Sequence, residues 1–382
     1  MPESARETDS LTSTSAQRYQ AMKNRLFLFH LLLQAGFLVL FLAAGWSRGL
    51  KRVLLPVRDD FFSINALYFA AFSLIFWCVS FPLGYFEGYV WERRFGLGRQ
   101  PFRAWLADDL KKSLLVFAVA LLLVEGVYYL LSVFPGTWWL GAAALWFGVS
   151  VLISRVFPRF VLPLFFKVTP LAAGPLRERL GAFCADQGVR LKDIFVLDFS
   201  RKTAKANAMV AGWGRAKKIF LSDTLVKDFA AEEIESVLAH EVGHWRYRDT
   251  WLLLCFGLAA ALLSFFAAHR LMTHFAARLG FVAMADIADL PLFLLILLGT
   301  GLILLPVQNG FARFLERRAD RFALRATGRP DVFAAMMRRL GEKNLAQFAP
   351  PRWVQILLYD HPPLAERIRM ARGFTPPLSY DI

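Results

Sequence analysis

The sequence predicts a mainly α-helical, polytopic membrane protein of about six spans, with a polar domain that contains a small β-sheet. Three observations carry this. The 382 residues are 57% hydrophobic and only 20% charged, with mean hydropathy +0.43, whereas soluble chains run about 45–50% apolar and about 25% charged. The excess lies in uncharged runs that reach the length of about 20 residues needed to cross a bilayer. The polar remainder is too long for loops and gathers into two blocks. An ordinary soluble enzyme, a disordered chain and a disulfide scaffold are thereby excluded. Cys78, Cys184 and Cys255 show no paired spacing and read as small apolar residues.

Residues 1–22 are polar, rich in Ser, Thr and Glu, and are expected to be disordered. An N-terminal membrane domain, 23–167, follows with four spans. The first runs from Lys23 and Arg25 to about Trp46, and is too long for a signal-peptide core. The others cover about Ile64–Phe86, Ser113–Phe134 and Trp138–Ile153, the last continuing as a bent helix past Pro158. The first polar block, 168–249, reads as a helix (Pro175–Gln187) and a strand (Asp193–Leu197). A hairpin follows, with strands near Ala206–Ala211 and Lys218–Leu221 around Gly212-Trp213-Gly214. A helix then starts near Asp228 as N-cap, with Glu232 and Glu233 in its first turns. A membrane helix pair, 250–308, holds spans at about Trp251–His269 and Leu290–Val307. The second polar block, 309–382, is mostly helical, broken by Gly328, Gly341 and two Pro-Pro pairs.

The formal net charge of +15 fits a membrane protein better than a nucleic-acid binder, since no nucleic-acid motif accompanies it. With the N-terminus inside, only Arg48, Lys51, Arg52, Arg58, Arg270 and Arg278 fall outside. The bias of basic residues to the inner side predicts cytoplasmic N- and C-termini, in the inner or plasma membrane if the source is bacterial. Trp138 and Trp139 suit an outer interfacial belt. The bilayer is the expected surrounding, and no nucleic-acid partner is expected.

The helix after Asp228 contains His240-Glu241-Val242-Gly243-His244. Residues four apart share a helical face, so both imidazoles can reach one Zn2+, one ion per chain. Glu241 is offset by one residue, placed to take a proton from an activated water. A catalytic zinc takes three protein ligands. Trp-Arg-Tyr-Arg-Asp after His244 offers no histidine, and His269 and His274 would sit at the far membrane face. Glu316 is the better third ligand, with Asp320 on the same face to accept a ligand histidine's N–H and Arg313 one turn before. Both ligand segments lie at the inner ends of consecutive spans, which sets the metal at the membrane–cytosol boundary. Glu125, near the middle of the third span, stands apart. A carboxylate there is costly and faces a cavity or a partner.

These segments together resemble the integral-membrane CAAX prenyl protease 1 family, of the yeast a-factor-converting type, and more distantly the HtpX membrane proteases. The resemblance runs from about Ala71 to Arg372. It includes Tyr89-Val90-Trp91-Glu92-Arg93-Arg94-Phe95-Gly96, Trp105-Leu106-Ala107-Asp108, Phe166-Lys167-Val168-Thr169-Pro170-Leu171 and Lys218 to Leu225. It also includes His240 to Trp245, Asn309 to Asp320, and His361-Pro362-Pro363 with Arg367. It implies a gluzincin-type zinc peptidase domain facing the cytosol, with zinc on His240, His244 and Glu316, Glu241 as base and Asp320 behind the ligands. Asn207-Ala208 would lie on an edge strand that pairs with an extended substrate and Arg367 would support that site. His361 would donate a hydrogen bond to the developing oxyanion. The implied substrate is a peptide or protein, prenylated or membrane-embedded. Two departures are visible: Ala312 stands where the family usually has Ser, and six spans replace seven around the family's water-filled chamber.

Three other readings remain at this point. One is an HtpX-like enzyme of membrane-protein quality control. A site-2-type intramembrane protease would bury the motif in an apolar span, whereas Glu232, Glu233, Glu235, Arg246 and Arg248 flank it. A six-span transporter or inactive scaffold has no use for a complete metal set.

Overall fold

The computed structural model describes residues 14–211, 216–275 and 284–375. Six helices among them are long and apolar enough to cross a membrane. The first, α1 (Thr14–Ala43), leads through a short helix, α2 (Trp46–Leu54), to α3 (Phe61–Arg94). Asp60 caps α3 by accepting the Ser63 amide at 3.0 Å. Helices α4 (Phe102–Val133) and α5 (Trp138–Phe165) follow. The backbone loosens to a π segment at Phe157–Val161, where Pro158 removes one amide donor. The fourth span does continue past Pro158. Residues 14–22, expected to be disordered, instead form the first turns of α1, where Tyr19 is buried against Trp91 and Leu97. A charged cluster explains this, because Tyr19 donates to Glu92 at 2.5 Å and Lys23 pairs with Glu87 at 2.6 Å.

The first polar block comprises β1 (Val168–Pro170), α6 (Pro175–Asp186), β2 (Arg190–Leu197), β3 (Ala208–Ala211), β4 (Ala216–Ser222), α7 (Asp223–Asp228) and α8 (Ala231–Arg246). The sheet order is β1-β2-β4-β3, so β3 is an edge. β2 and β4 run parallel, and both outer pairs are antiparallel. The hairpin strands are as expected, and the turn at Gly212-Trp213-Gly214 lies outside the described residues. The motif helix begins two residues later than expected. Asp228 closes α7 and is tied to Lys343, and the cap is Ala230, whose amide donates to Glu233 at 2.8 Å. Then come α9 (Asp249–Phe275), α10 (Leu290–Thr327), α11 (Pro330–Lys343), α12 (Arg352–Leu358) and α13 (Leu364–Arg372). Gly328 ends α10 in the left-handed conformation, φ 62°.

The spans close into a ring in chain order, α1–α3–α4–α5–α9–α10 and back to α1. Their shared apolar core gathers at the ends remote from the polar domain. It draws on Phe41, Phe72, Tyr128, Trp138, Phe265 and Phe293, one from each helix. Among the described residues the near halves have no such common core, and a cleft of about 300 Å3 lies there between α1, α3 and α4. Among the described residues the spans therefore pack most closely at the far end, and the cleft lies toward the polar domain. Polar contacts reinforce the far end: Tyr128 donates to Asp289 at 2.5 Å, and Lys51 pairs with Asp286 at 2.8 Å. Trp138 belongs to this packing rather than to an interfacial belt, since it is fully buried and donates to His269 at 3.2 Å. Glu125 also lies at the far end, beside Asn65, between the buried Val124 and Val127.

The polar domain's core joins the sheet to α6, α8, α11 and α13, and takes in Ala323 and Leu324 of α10. Helices α8 and α10 cross closely at Gly243. A Cβ there would stand 3.0 Å from the Ala319 Cα and 3.2 Å from its carbonyl oxygen. Neither backbone atom can yield without moving a helix. Gly243→Val is thus expected to cost about 1–3 kcal/mol and to lower both the thermal midpoint and the bound metal. Unchanged values in a thermal melt with metal analysis would show that the helices have room to separate.

Candidate metal centre and substrate cleft

Helix α8 presents His240 and His244 one turn apart, and α10 brings Glu316 up to them. One ligand atom from each lies within 4.8 Å of the others. The two Nε2 atoms are 3.1 Å apart, and they stand 3.2 Å from the two Glu316 oxygens. A tetrahedral zinc with bonds of about 2.0–2.1 Å gives ligand separations of about 3.3–3.4 Å. The donors thus stand close to a tetrahedral face.

The far side of each imidazole is held by a carboxylate. His240 Nδ1 is 2.8 Å from Asp320 and His244 Nδ1 is 2.8 Å from Asp249. This fixes both rings with Nε2 turned to the shared point. Asp320 is fully buried and is gripped through both oxygens by Arg367. Asp249 is gripped by Arg318, whose guanidinium lies 4.5 Å from the Tyr247 ring centre. The donor set of two neutral nitrogens and a carboxylate, with buried carboxylates behind it, fits zinc.

The sequence pointed to Asp320 but missed Asp249. The signal was an acidic residue opening an apolar span, five positions after His244. Arg248, at φ 57°, reverses the chain between α8 and α9 and brings Asp249 back to the histidine.

Glu241 is on the same helix as both histidines and borders the cleft. Burial raises its pKa above the ordinary carboxylate value, while His240 and His244 pull it down. His361, more than half exposed, approaches Glu316 with Nε2 at 3.3 Å, and its Nδ1 is held by Asp360 at 2.7 Å.

Two further residues are placed by their ion pairs and hydrogen bonds. Arg367 borders the cleft, and its side chain, only 7% exposed, is paired with Asp320 behind His240. Arg313 does not touch the ligand set. It donates to the carbonyls of Gln355 at 2.8 Å and Tyr359 at 2.5 Å, while Asn309 donates to that of Leu357 at 2.7 Å. Together they hold the segment that leads to His361. Backbone carbonyls carry no sequence signature, which is why this role was not legible.

Ala208 opens the edge strand β3, and Asn207 lies immediately before it. Ser222 donates to the Asn207 carbonyl at 2.9 Å, and β3 pairs antiparallel with β4 from Ala208↔Leu221 onward. Paired and unpaired residues alternate along such a ladder. Ala208 and Val210 therefore turn their backbone groups away from β4, and Glu241 reaches the Val210 amide. A cavity of about 150 Å3 lies between this edge and the ligands, with Leu225, Val237, Met336, Met337 and Leu340 as its apolar wall. Asp249→Ala is expected to weaken metal binding by about 10–100-fold while leaving the helical circular dichroism unchanged. Chelator competition that finds equal affinity would remove Asp249 from this role.

Comparison with known proteins agrees with the geometry. The profile of Peptidase family M48 matches residues 170–375, and that of the CAAX prenyl protease N-terminal region, five membrane helices, matches 1–167. The CAAX prenyl protease 1 homolog of Oryza sativa subsp. japonica is 31% identical over 304 residues, 75% of this chain and 68% of its own length. CAAX prenyl protease 1 of Saccharomyces cerevisiae is 27% identical, covering 84% and 75%. The uncharacterized metalloprotease YhfN of Bacillus subtilis is 26% identical, covering 93% and 84%. The crystal structure of S. mikatae Ste24p superposes with a TM-score of 0.80 over 93% of this chain and 87% of that one, at 24% identity, which speaks to the fold. The chain belongs to peptidase family M48, in its CAAX prenyl protease branch, and is a membrane metallopeptidase.

Proposed function

We propose that this chain is a zinc endopeptidase that cuts extended peptides at the membrane–cytosol boundary, in the manner of CAAX prenyl protease 1. The observation that carries the reading is the convergence of His240, His244 and Glu316, with a buried carboxylate behind each histidine. Those three residues hold the zinc, and Glu241 and His361 border the same cleft. Bound there, zinc supplies Lewis acidity that activates a water and polarises a carbonyl. Glu241 takes the proton from the attacking water and returns it to the leaving amine. His361 donates a hydrogen bond to the oxygen that gains charge. The outer edge of β3 aligns the substrate backbone once the peptide displaces the Asn207 side chain from the Ala208 amide, which recognises extension rather than sequence.

The catalytic domain comprises 168–249 and 309–382, interrupted by the helix pair 250–308 and preceded by the membrane domain. Gln20 donates to the Leu345 carbonyl at 2.9 Å, so the start of α1 and the catalytic domain share one side of the membrane. The Lys and Arg bias makes that side cytoplasmic. A prenylated C-terminal peptide is the substrate favoured by the names of the relatives. A farnesylated CAAX peptide beside unmodified casein separates this from a quality-control protease.

Glu241→Gln is expected to keep zinc at one ion per chain and to lose about 10²–10⁴-fold in kcat, whereas Glu316→Ala loses the zinc itself. Metal analysis and peptide cleavage on the same purified samples read both. Cleavage by Glu241→Gln at the wild-type rate would show that another group is the base.

A further inference from the structure

Helix α10 has a second face besides the one that carries Glu316. By the 3.6-residue period, Asn309, Arg313, Glu316 and Asp320 share the face toward the metal centre and the segment leading to His361. Ile303, Val307, Phe314, Arg318, Arg321 and Arg325 share the opposite one. That opposite face is apolar and open below, with Ile303 76% and Phe314 53% exposed, and basic above. Its character changes in the turn between Phe314 and Arg318. The junction of α8 and α9 changes in the same way. Arg246 and Arg248 are exposed, and the exposed apolar residues Trp251, Leu252 and Leu253 follow at once along α9. Tyr247 ties the two boundaries together, its ring 4.5 Å from the Arg318 guanidinium and 6.1 Å from the Phe322 ring. Both boundaries thus stand at one height, where lipid-facing surface gives way to water on the catalytic side. Arg246, Arg248, Arg321 and Arg325 make no ion pair among the described residues. Asp249, the acid at this junction, is buried and already held by Arg318 and His244.

We infer that these arginines form a binding site for anionic phospholipid headgroups in the leaflet on the catalytic side. A phosphate offers paired oxygens that a guanidinium meets with two parallel N–H donors. A lipid delivers that phosphate at the height where the basic band begins, because its acyl chains lie along the apolar stripe of Ile303, Val307 and Phe314. A free phosphate gains nothing from that stripe, and a zwitterionic lipid offsets its phosphate with its own cation. Like charges three and four apart on a helix repel, as Arg318, Arg321 and Arg325 do, and an anionic headgroup relieves the repulsion. The site is coupled to the metal centre. Arg318 adjoins Arg321 on its own helix and Tyr247 across the junction, and it grips Asp249, which holds His244 Nδ1 at 2.8 Å. Headgroups that neutralise its neighbours leave Arg318 on Asp249 and so keep His244 aimed at the ion. This coupling rests on the zinc reading above, whereas the lipid preference does not.

The test titrates the full chain in detergent with phosphatidylglycerol or phosphatidylcholine, and native mass spectrometry gives the affinity of the first bound lipid. The wild type is expected to favour phosphatidylglycerol by about tenfold. Arg321→Gln combined with Arg325→Gln is expected to bring the ratio to within about twofold of one. Arg321→Lys combined with Arg325→Lys keeps the charge and is expected to keep most of the preference, which separates loss of the site from loss of the fold. Zinc release to a chelator is then timed in nanodiscs of phosphatidylcholine with and without phosphatidylglycerol. The anionic lipid is expected to slow release about fivefold in the wild type and to leave the glutamine variant unchanged. Equal affinity of the wild type for the two lipids overturns the site. A preference that persists in the glutamine variant overturns it as well. Displacement of phosphatidylglycerol by millimolar glycerol phosphate assigns the arginines to a free phosphate and overturns the lipid. Zinc release that ignores phosphatidylglycerol overturns the coupling. A wild type that binds no zinc overturns the zinc reading and the coupling with it, and leaves the lipid preference to stand or fall on its own titration.

Discussion

The structure depends on the crossing of α8 and α10. A divalent ion can be held here only if a helix bearing two histidines meets a helix from more than seventy residues later in the chain, with almost no space between their backbones. Gly243 supplies the closeness, standing against the Ala319 backbone. That contact falls between His240 and His244 on one helix and between Glu316 and Asp320 on the other. The same pair of turns thus sets the ligands on one side and the Asp320 brace on the other. Burying so many charged groups is costly unless each is paired. The pairing is nearly complete: Asp320 with Arg367 and His240, Asp249 with Arg318 and His244.

The membrane ring serves this crossing. Helix α10 runs unbroken from Leu290 at the far end to Thr327 in the catalytic domain, a length of about 57 Å at 1.5 Å per residue. One rigid element therefore carries Glu316 and is anchored in the apolar core by Phe293. The residues around Glu316 on this helix hold two things in place. Asn309 and Arg313 grip the segment before His361, and Arg317 pairs with Glu366 of α13 at 2.6 Å. Glu316, the segment leading to His361 and α13 are thereby referred to one helix. The ring needs no seventh span to close, because its six far ends pack on one another directly.

Much of this was legible in the sequence, for reasons that can be named. The spans were read from uninterrupted apolar runs, which only a bilayer tolerates at that length. The metal set was read from helical spacing: His240 and His244 are four apart, as are Glu316 and Asp320, and nothing beyond the 3.6-residue period is needed to place each pair on one face. What escaped was set by contacts between distant segments. Residues 14–22 look disordered by composition, yet Glu92, Lys205 and the Leu345 carbonyl hold them as helix. Asp249 looks like the start of a span, and a single left-handed residue turns it to His244. Arg313 looks like a partner for nearby acids, but its donors meet carbonyls more than forty residues away.

The central claim is that two histidines of one helix and one glutamate of another hold a single zinc. Zinc-edge X-ray absorption on the wild-type protein tests it most directly. The account predicts a low-coordinate shell of nitrogen and oxygen at about 2.0–2.1 Å, with the outer scattering of two imidazoles and no sulfur. A sulfur shell at about 2.3 Å, or a spectrum without imidazole scattering, would contradict it.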